Sequence, residues 1–426
     1  MIGILIGAFL LTIMLGTPVA VGMLLSAMVY MSLSQRADWV MLGLKTVTGL
    51  DSFPFLAVPF FVLAGELMNR TGVTKALVDF STLLVGRIRG GLAHVNVATG
   101  MLMAGISGSA SADTAALASV FVPAMERAGY PRAFATALSA SSGAIGPIIP
   151  PSIFMVLIGA IGNVSVGRLF LGGAVPGVMM GLSLMAISYA MARRHGYGAV
   201  DINLSCGQVV ATLRRAAFPL MIPLIIIGGI VGGVVTPTEA GILAVVVILV
   251  VGSFATRELT LDGIVQSLRS TVHILGAVMF ITGAANIFAW ILGLERLGEQ
   301  LTGVLLAISS NPQVILLLIT GVVLVLGCFV DAMPMLIVLT PILVPVGQQL
   351  GIDPVHFGVV FSLTLTIGLL TPPYGVAMYI ACAVGKVSIA EFARQFWPMF
   401  AALVVVLLAI TLWPPLVMFV PNLLMP

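Results

Sequence analysis

Apolar runs close to twenty residues long recur along the whole chain, and they limit its fold more than any motif does. Residues 2–33, 134–161, 169–192, 272–292 and 396–420 are examples. A helix of about 20 apolar residues crosses a hydrocarbon core about 30 Å thick. Backbone in lipid must satisfy its own hydrogen bonds, so only helices and closed barrels span it. The alternating segments of about ten residues that a barrel needs are missing. Only 8% of the residues are charged, against about 25% in a soluble domain, and the mean hydropathy is +1.20. The chain is therefore expected to be an all-α polytopic membrane protein. A net charge of +3 with no basic patch excludes nucleic acid as a partner. Cys206, Cys328 and Cys382 have neither metal spacing nor the pattern of a disulfide framework. The first residues lack a basic stretch and a cleavage site, so they read as a first membrane helix rather than a removed signal.

The glycines and prolines carry a repeat. Shifted by 222 residues, Gly105 falls on Gly327, Pro123 on Pro345, Gly129 on Gly351, Gly146 on Gly368, Pro150 on Pro372 and Pro151 on Pro373. Composition alone would give about one such coincidence in that window, and a fixed period marks a repeat. VFVPAMERAG aligns with ILVPVGQQLG, and GPIIPPS with GLLTPPY.

Lys and Arg in short loops favour the cytoplasm. With Arg87 and Arg89 on that side, residues 92–106 enter, GSASAD turns, and residues 114–125 return toward Arg127 and Arg132. That is a re-entrant hairpin. Residues 134–161, 169–192, 216–235, 240–255 and 272–292 then cross in alternation. No Lys or Arg occurs from Leu297 to Gly385, so a second hairpin, 314–326 and 334–350, is expected from the outside. Residues 355–384 cross inward to Lys386 and Arg394. An odd number of crossings separates the hairpins, so the two repeats are expected to be inverted. Of the 18 basic residues, all but Arg36, Lys45, Arg168 and Arg296 then face the cytoplasm. Residues 73–86 and 294–309 occupy matching places before the hairpins and read as amphipathic arms or as ordinary loop helices.

The stretch GISGSASADTAA, residues 105–116, puts serines and an aspartate in apolar surroundings. Half-helices of about fifteen residues would meet near mid-membrane. Non-helical backbone at that depth persists only when buried in protein or lining a cavity. Free carbonyls with Ser107, Ser109, Ser111 and Asp113 offer hard oxygens to a small hard cation. The amino end of the returning helix favours a carboxylate. Asp331, in GCFVDAMP, is the acidic residue of the mirror tip. An intramembrane carboxylate points to function, with Na⁺ or a proton as its partner. Both aspartates also stand where a helix cap is expected. GPIIPPS (146–152) and GLLTPPYG (368–375) break a long helix in each half and release carbonyls. Breaks at matching places in two halves point to a transporter's binding site.

Glu66 and Glu239 lie near predicted helix ends, Glu239 after Thr236-Pro237-Thr238 as a cap. His94, His273 and His356 show no metal spacing and read as satisfied polar residues. No nucleotide-binding or HExxH motif occurs, which argues against ATP-driven transport by this chain. An intramembrane hydrolase would lack a base beside its serines. A channel could not concentrate a solute.

GISGSASADTAALASVFVPAMERAGYP, GAIGPIIPPS, TPTEAG, GCFVDAMPMLIVLTPILVPV and GLLTPPYGVAMY together resemble the large membrane subunit of the tripartite ATP-independent periplasmic (TRAP) transporters. The resemblance runs along nearly the whole chain. It implies an inverted-repeat, ion-transporter-type fold with two re-entrant hairpins and two broken helices, working as an elevator in the bacterial inner membrane. It implies sodium-driven import of an organic acid, such as a C4-dicarboxylate or sialic acid, with Na⁺ as the coupling ion and no further cofactor. Two protein partners are implied: a periplasmic substrate-binding protein, and a small four-helix membrane subunit as a separate chain. The implied division puts the first scaffold helices and arm in 1–90 and one half of the transport domain in 91–162. More scaffold and the second arm follow in 163–310, the other transport half in 311–385, and a last scaffold helix in 386–426. The implied sodium ligands are Ser107, Gly108, Ser109 and Asp113 with Gly146 and Pro147, and Gly327 and Asp331 with Gly368, Thr371 and Pro372. The implied substrate position is near Ser107, Ser109, Ser152 and Thr371. No Arg or Lys falls in that cavity, Arg296 being the nearest candidate. A carboxylate symporter driven by Na⁺ or H⁺ without a binding protein is the alternative.

Overall fold

Each apolar run becomes helix because no other local structure satisfies its backbone without water. The computed structural model describes residues 1–34, 38–51, 53–198 and 206–425, and no strand occurs among them. The chain begins with α1 (Ile2–Met14), α2 (Val19–Leu33), α3 (Val40–Thr48), α4 (Ala57–Asn69) and α5 (Val73–Val85). Next come α6 (Gly91–Ser107), α7 (Ala110–Arg127), α8 (Arg132–Gly143), α9 (Ile153–Gly162) and α10 (Val166–His195). The second half opens with α11 (Cys206–Val231), α12 (Pro237–Val250), α13 (Leu261–Leu294), α14 (Leu297–Ile308) and α15 (Pro312–Gly327). It ends with α16 (Ala332–Gln349), α17 (Pro354–Gly368), α18 (Val376–Gly385), α19 (Ile389–Leu412) and α20 (Pro415–Leu424). Six of the described helices are long and apolar enough to cross a bilayer. The starts follow local chemistry: Thr236 and Glu239 form a reciprocal capping box at α12, as Ser388 and Glu391 do at α19.

The repeat reaches further than its motifs. A shift of 222 lays α7 on α16 residue for residue, and sets α5, α8, α9 and α10 on α14, α17, α18 and α19. It also sets α2 on α12 and α4 on the second half of α13. Accordingly α2 packs on α13 while α12 packs on α4, one pairing with its members exchanged. The broken helices obey the same exchange, α9 packing on α16 and α7 on α18.

Direction follows from end-to-end contacts. Arg132 Nε donates to Gly385 O at 2.6 Å, joining the start of α8 to the end of α18. At the other extreme, a Cβ on Gly358, early in α17, would lie 3.2 Å from Ile158, late in α9. The two broken helices therefore run antiparallel. The α6–α7 pair doubles back. Gly198, beyond α10, accepts the Gly90 and Gly91 amides at the head of α6 (3.1 and 3.2 Å). Its neighbour Tyr197 stacks on Tyr130, beyond the tail of α7, with ring centroids 4.1 Å apart. At the face where α17 starts, the head of α15, the α16–α17 turn and the α19–α20 break share a cavity of about 380 Å³ that includes Asn311, Gly351, Asp353 and Pro414. The α15–α16 pair thus doubles back from the opposite face.

Two packed groups result. Helices α1–α4 associate with α11–α13, and α6–α10 associate with α15–α20. The arms bridge them: α5 lies on α6 and α11, and α14 on α16 and α13. Helix α14 turns into α15 at 113°.

Some readings change. The apolar run 2–33 is two helices, because Gly16 (φ +79) and the helix-stopping Pro18 fold α2 back on α1; Gly22 faces Thr12. Residues 396–420 span a break at Trp413–Pro414 that separates α19 from α20. Helices α10 and α19 pack against α6, α8 and α17. Asp113 is not a cap: Ser109 is the N-cap of α7, and Asp113 sits a full turn inside. Arg36 lies outside the described residues.

Close helix contact in the first half depends on Gly143, where a Cβ would come 2.5 Å from Thr114 N. Gly143→Val should separate α7 from α8 and cost about 1–3 kcal/mol through overpacking. Thermal melting followed by fluorescence-detected gel filtration should fall by several degrees; an unchanged midpoint would refute this contact.

Candidate ion and substrate site

Helix α6 stops at Gly108 because that residue adopts the left-handed conformation (φ +59), which glycine enters without a Cβ penalty. Ser109 then starts α7 as its N-cap, its Oγ accepting the Ala112 amide at 3.5 Å. The break is therefore two residues long. It presses on the break of the first broken helix: a Cβ on Gly108 would lie 2.5 Å from Pro151 O and 3.3 Å from Ile153 N. Gly65 of α4 abuts the carbonyl of Ser107 from the other side.

Asp113 is completely buried. Its Oδ1 accepts a hydrogen bond from Ser107 Oγ at 2.5 Å. Its Oδ2 has no hydrogen-bond partner and points at Gly146, where a Cβ would stand 2.8 Å from it, 3.2 Å from Gly143 O and 3.2 Å from the Ser109 carbonyl carbon. A buried carboxylate oxygen thus meets the break of α8–α9 beside two backbone carbonyls. Buried charge without compensation is costly, and nothing basic bonds to Asp113 among the described residues. The hydroxyl of Thr114, next in sequence, is likewise buried without a partner.

The proline break is braced from within. Ser152 caps α9, accepting the Met155 amide at 3.2 Å and donating to Pro147 O at 2.5 Å. Ser362 of α17 donates to the same Pro147 oxygen at 3.2 Å. Both lone pairs of Pro147 O are therefore engaged, and Ser152 is fully buried. The Pro150-Pro151 and Pro372-Pro373 bonds are both cis.

At the second tip, Gly327 and Gly368 touch backbone to backbone, and a Cβ on Gly368 would lie 3.0 Å from Gly327 Cα. Tyr374 N–H donates to Cys328 O at 3.1 Å, fastening the break to the tip. Asp331 is the N-cap of α16 but makes no well-aligned capping hydrogen bond, although its carboxylate lies beside the Ala332 and Met333 amides. Thr371 Oγ donates back to Ile367 O at 2.8 Å, and Thr371 and Pro372 are half-buried.

The structure brings Ser107, Gly108, Ser109 and Asp113 against the break that holds Gly146, Pro147 and Ser152, and Gly327 against Gly368; Asp331 heads α16, and Thr371 and Pro372 lie in the break after Gly368. Ser362 links the halves and was missed; its signal was the polar SLTLT run inside a buried helix. The two aspartates are not repeat mates. Asp113 matches Met335, and Asp331 matches Ser109. Arg296 is exposed and paired with Glu299 at 3.8 Å at the head of α14. A charged cavity of about 220 Å³ with Lys75, Asp79, Arg215 and Glu258 belongs to the α5 arm, not to the tips. His356 Nε2 is bonded to Ile410 O at 2.7 Å, and His94 Nε2 to Arg89 O at 3.2 Å. No metal-type cluster of His, Cys, Asp and Glu occurs among the described residues.

The sequence model of the family described as "Tripartite ATP-independent periplasmic transporter, DctM component" matches residues 6–416. The sialic acid TRAP transporter large permease protein SiaM of Vibrio cholerae is 38% identical over 408 residues, 96% of this chain and 95% of the relative. The 2,3-diketo-L-gulonate TRAP transporter large permease protein YiaN of Escherichia coli is 37% identical over 421 residues, 97% of each. Among solved structures, the YdaH transporter of Alcanivorax borkumensis shares the fold, with a TM-score of 0.61 over 88% of this chain and 87% of that one at 16% identity.

Gly108→Ala should strain the left-handed turn by about 1–2 kcal/mol and push on Pro151 O. Lowered thermal stability of the purified protein is expected; a wild-type melting curve would show that the tip does not need glycine.

Proposed function

The chain belongs to the tripartite ATP-independent periplasmic transporter family as its DctM component, and from that premise we propose that it is the permease of a sodium-coupled, binding-protein-dependent importer of an organic acid in the bacterial inner membrane. The observation that carries the coupling is Asp113: a fully buried carboxylate whose free Oδ2 faces a helix break beside backbone carbonyls, with no basic group bonded to it. An oxygen set of this kind suits a small hard cation. Sodium here is a co-substrate. Asp113 Oδ2 and the oxygens of Ser109 and Gly143 would hold it at the first tip. Asp331 with the Gly327–Gly368 contact would serve a second ion.

The organic acid follows from relatives whose names carry sialic acid and 2,3-diketo-L-gulonate. A C4-dicarboxylate or similar carboxylate is the same chemistry. In this reading its carboxylate lies between the tips near Ser107, Ser109, Ser152 and Thr371, met by hydroxyls, helix ends and the bound ion.

The packing supports an elevator. The moving body would be α6–α10 with α15–α20, the scaffold α1–α4 with α11–α13, and α5 and α14 the connecting arms. The α6–α7 and α15–α16 pairs act as re-entrant hairpins from opposite faces. Coupling arises if ion and acid stabilise one closed arrangement together, so that neither moves the body alone. A periplasmic binding protein and a small four-helix membrane subunit complete the complex.

Proteoliposomes holding the complex should take up the acid with its binding protein only when Na⁺ is present outside; undiminished uptake without Na⁺ would refute sodium coupling. Asp113→Asn should abolish stabilisation of the purified permease by Na⁺ while leaving it folded, and Asp331→Ala should weaken it. If Asp113→Asn keeps the full Na⁺ shift in melting temperature, Asp113 is not an ion ligand.

A further inference from the structure

One end of the scaffold group leaves four charges unpaired around a cavity. The α4–α5 turn, the head of α5, the first half of α11 and the segment between α12 and α13 meet there. They enclose about 220 Å³, lined by Lys75 and Asp79 of α5, Arg215 of α11, and Glu258. Lys75 and Asp79 stand one turn apart, the spacing at which opposite charges on a helix interact. Yet none of the four charges takes part in an ion pair among the described residues. Glu258 is held in place by the Gly72 amide, which donates to its Oε2 at 3.1 Å. Gly72 allows this approach, since a Cβ there would lie 3.0 Å from Oε1. Two cations and two carboxylates thus face a gap rather than each other.

The cavity sits where apolar helix gives way to charge. Arg215 precedes the apolar run 216–235, and Glu258 lies between the candidate spans Pro237–Phe254 and Leu261–Leu294. The distribution of Lys and Arg assigns this end to the cytoplasm. Basic cavities at the cytoplasmic ends of membrane helices suit lipid headgroups. Phe218 and Pro219 of α11 complete the wall. From there α11 continues as the least buried of the candidate spans, with Leu213, Met221 and Leu224 exposed along it. A charge cluster at headgroup level thus adjoins an open apolar track, which favours a lipid over a soluble zwitterion.

We propose that this cavity binds the headgroup of a zwitterionic, primary-amine phospholipid of the phosphatidylethanolamine type, its phosphate on Lys75 and Arg215 and its ammonium on Asp79 and Glu258. Both signs of charge are then met. A purely anionic headgroup would leave the two carboxylates uncompensated, and a choline headgroup has no N–H to donate to them. The acyl chains lie along the exposed face of α11. The bound lipid ties the head of the α5 arm to α11 and so fastens the arm to the scaffold group. This site is independent of the ion and substrate reading of the tips.

The test uses the permease purified with its small subunit and stripped of lipid in detergent. Its melting temperature is titrated with phosphatidylethanolamine, phosphatidylcholine, phosphatidylglycerol and soluble phosphoethanolamine, since a ligand of the folded state raises the midpoint according to its affinity. Phosphatidylethanolamine should bind at least about fivefold tighter than the other two lipids, the scale of one exposed ion pair. Phosphoethanolamine should give no shift at concentrations where the lipid saturates. Arg215→Gln should weaken phosphatidylethanolamine by about fivefold, and Asp79→Asn should erase its advantage over phosphatidylcholine. Arg194→Gln, at an exposed arginine outside the cavity, should change neither. Equal shifts for the three lipids overturn the proposal, and so does a preference for phosphatidylglycerol, which would leave only a basic surface. A full shift from phosphoethanolamine overturns the lipid as occupant. Wild-type lipid order in both cavity variants, or an equal loss in Arg194→Gln, overturns the site. Should a variant fail to fold, the wild-type lipid series still decides.

Discussion

A peptide group inside a bilayer has no water to turn to, and the architecture follows from that. Every interruption of helix at depth must be closed by other protein atoms. The structure closes each break with the neighbouring tip: Gly108 against Pro151 O, and Gly368 against Gly327. Glycine recurs at these contacts because a side chain would keep backbone from meeting backbone. Serines complete the closure, as Ser152 and Ser362 do at Pro147 O. Oxygens left over after this closure are few, and Asp113 Oδ2 is among them. The hydroxyl of the neighbouring Thr114 is another.

Much of this was legible in the sequence. Proline and glycine interrupt helices by simple stereochemistry, so the breaks at 146–152 and 368–375 could be located without coordinates. Their equal spacing exposed the repeat. The contacts Arg132–Gly385 and Tyr130–Tyr197 show which helix ends share one face. What was not legible depends on packing. The packing partners of α10 and α19 are an example, because both are ordinary long apolar helices in sequence. Only their neighbours show which group they join. The turn at Leu15–Pro18 was hidden because the run around it is uniformly apolar.

Sequence spacing places the site's segments, but not the atoms within them. Capping was attributed to Asp113, yet Ser109 takes that place, since a two-residue break leaves the aspartate a turn inside α7. Pro147 is a sodium ligand that the family resemblance implies, and two hydroxyls bond its carbonyl oxygen. Which lone pairs remain open is a question of three-dimensional bookkeeping that spacing cannot answer. The failure of Asp113 and Asp331 to be repeat mates was visible in the sequence. The two tips have diverged in backbone as well, with two residues between α6 and α7 and four between α15 and α16.

The exchanged pairing of α7 with α18 and α9 with α16 has a consequence for biogenesis. A nascent chain that has delivered only its first two hundred residues to the membrane holds α7 and α9 without their partners. The first tip can already close on its own proline break, Gly108 against Pro151 O, but the outer flanks of α7 and α9 stay uncovered until α16 and α18 arrive. Contacts of such long sequence separation form late, so assembly of the central body is a post-synthetic event.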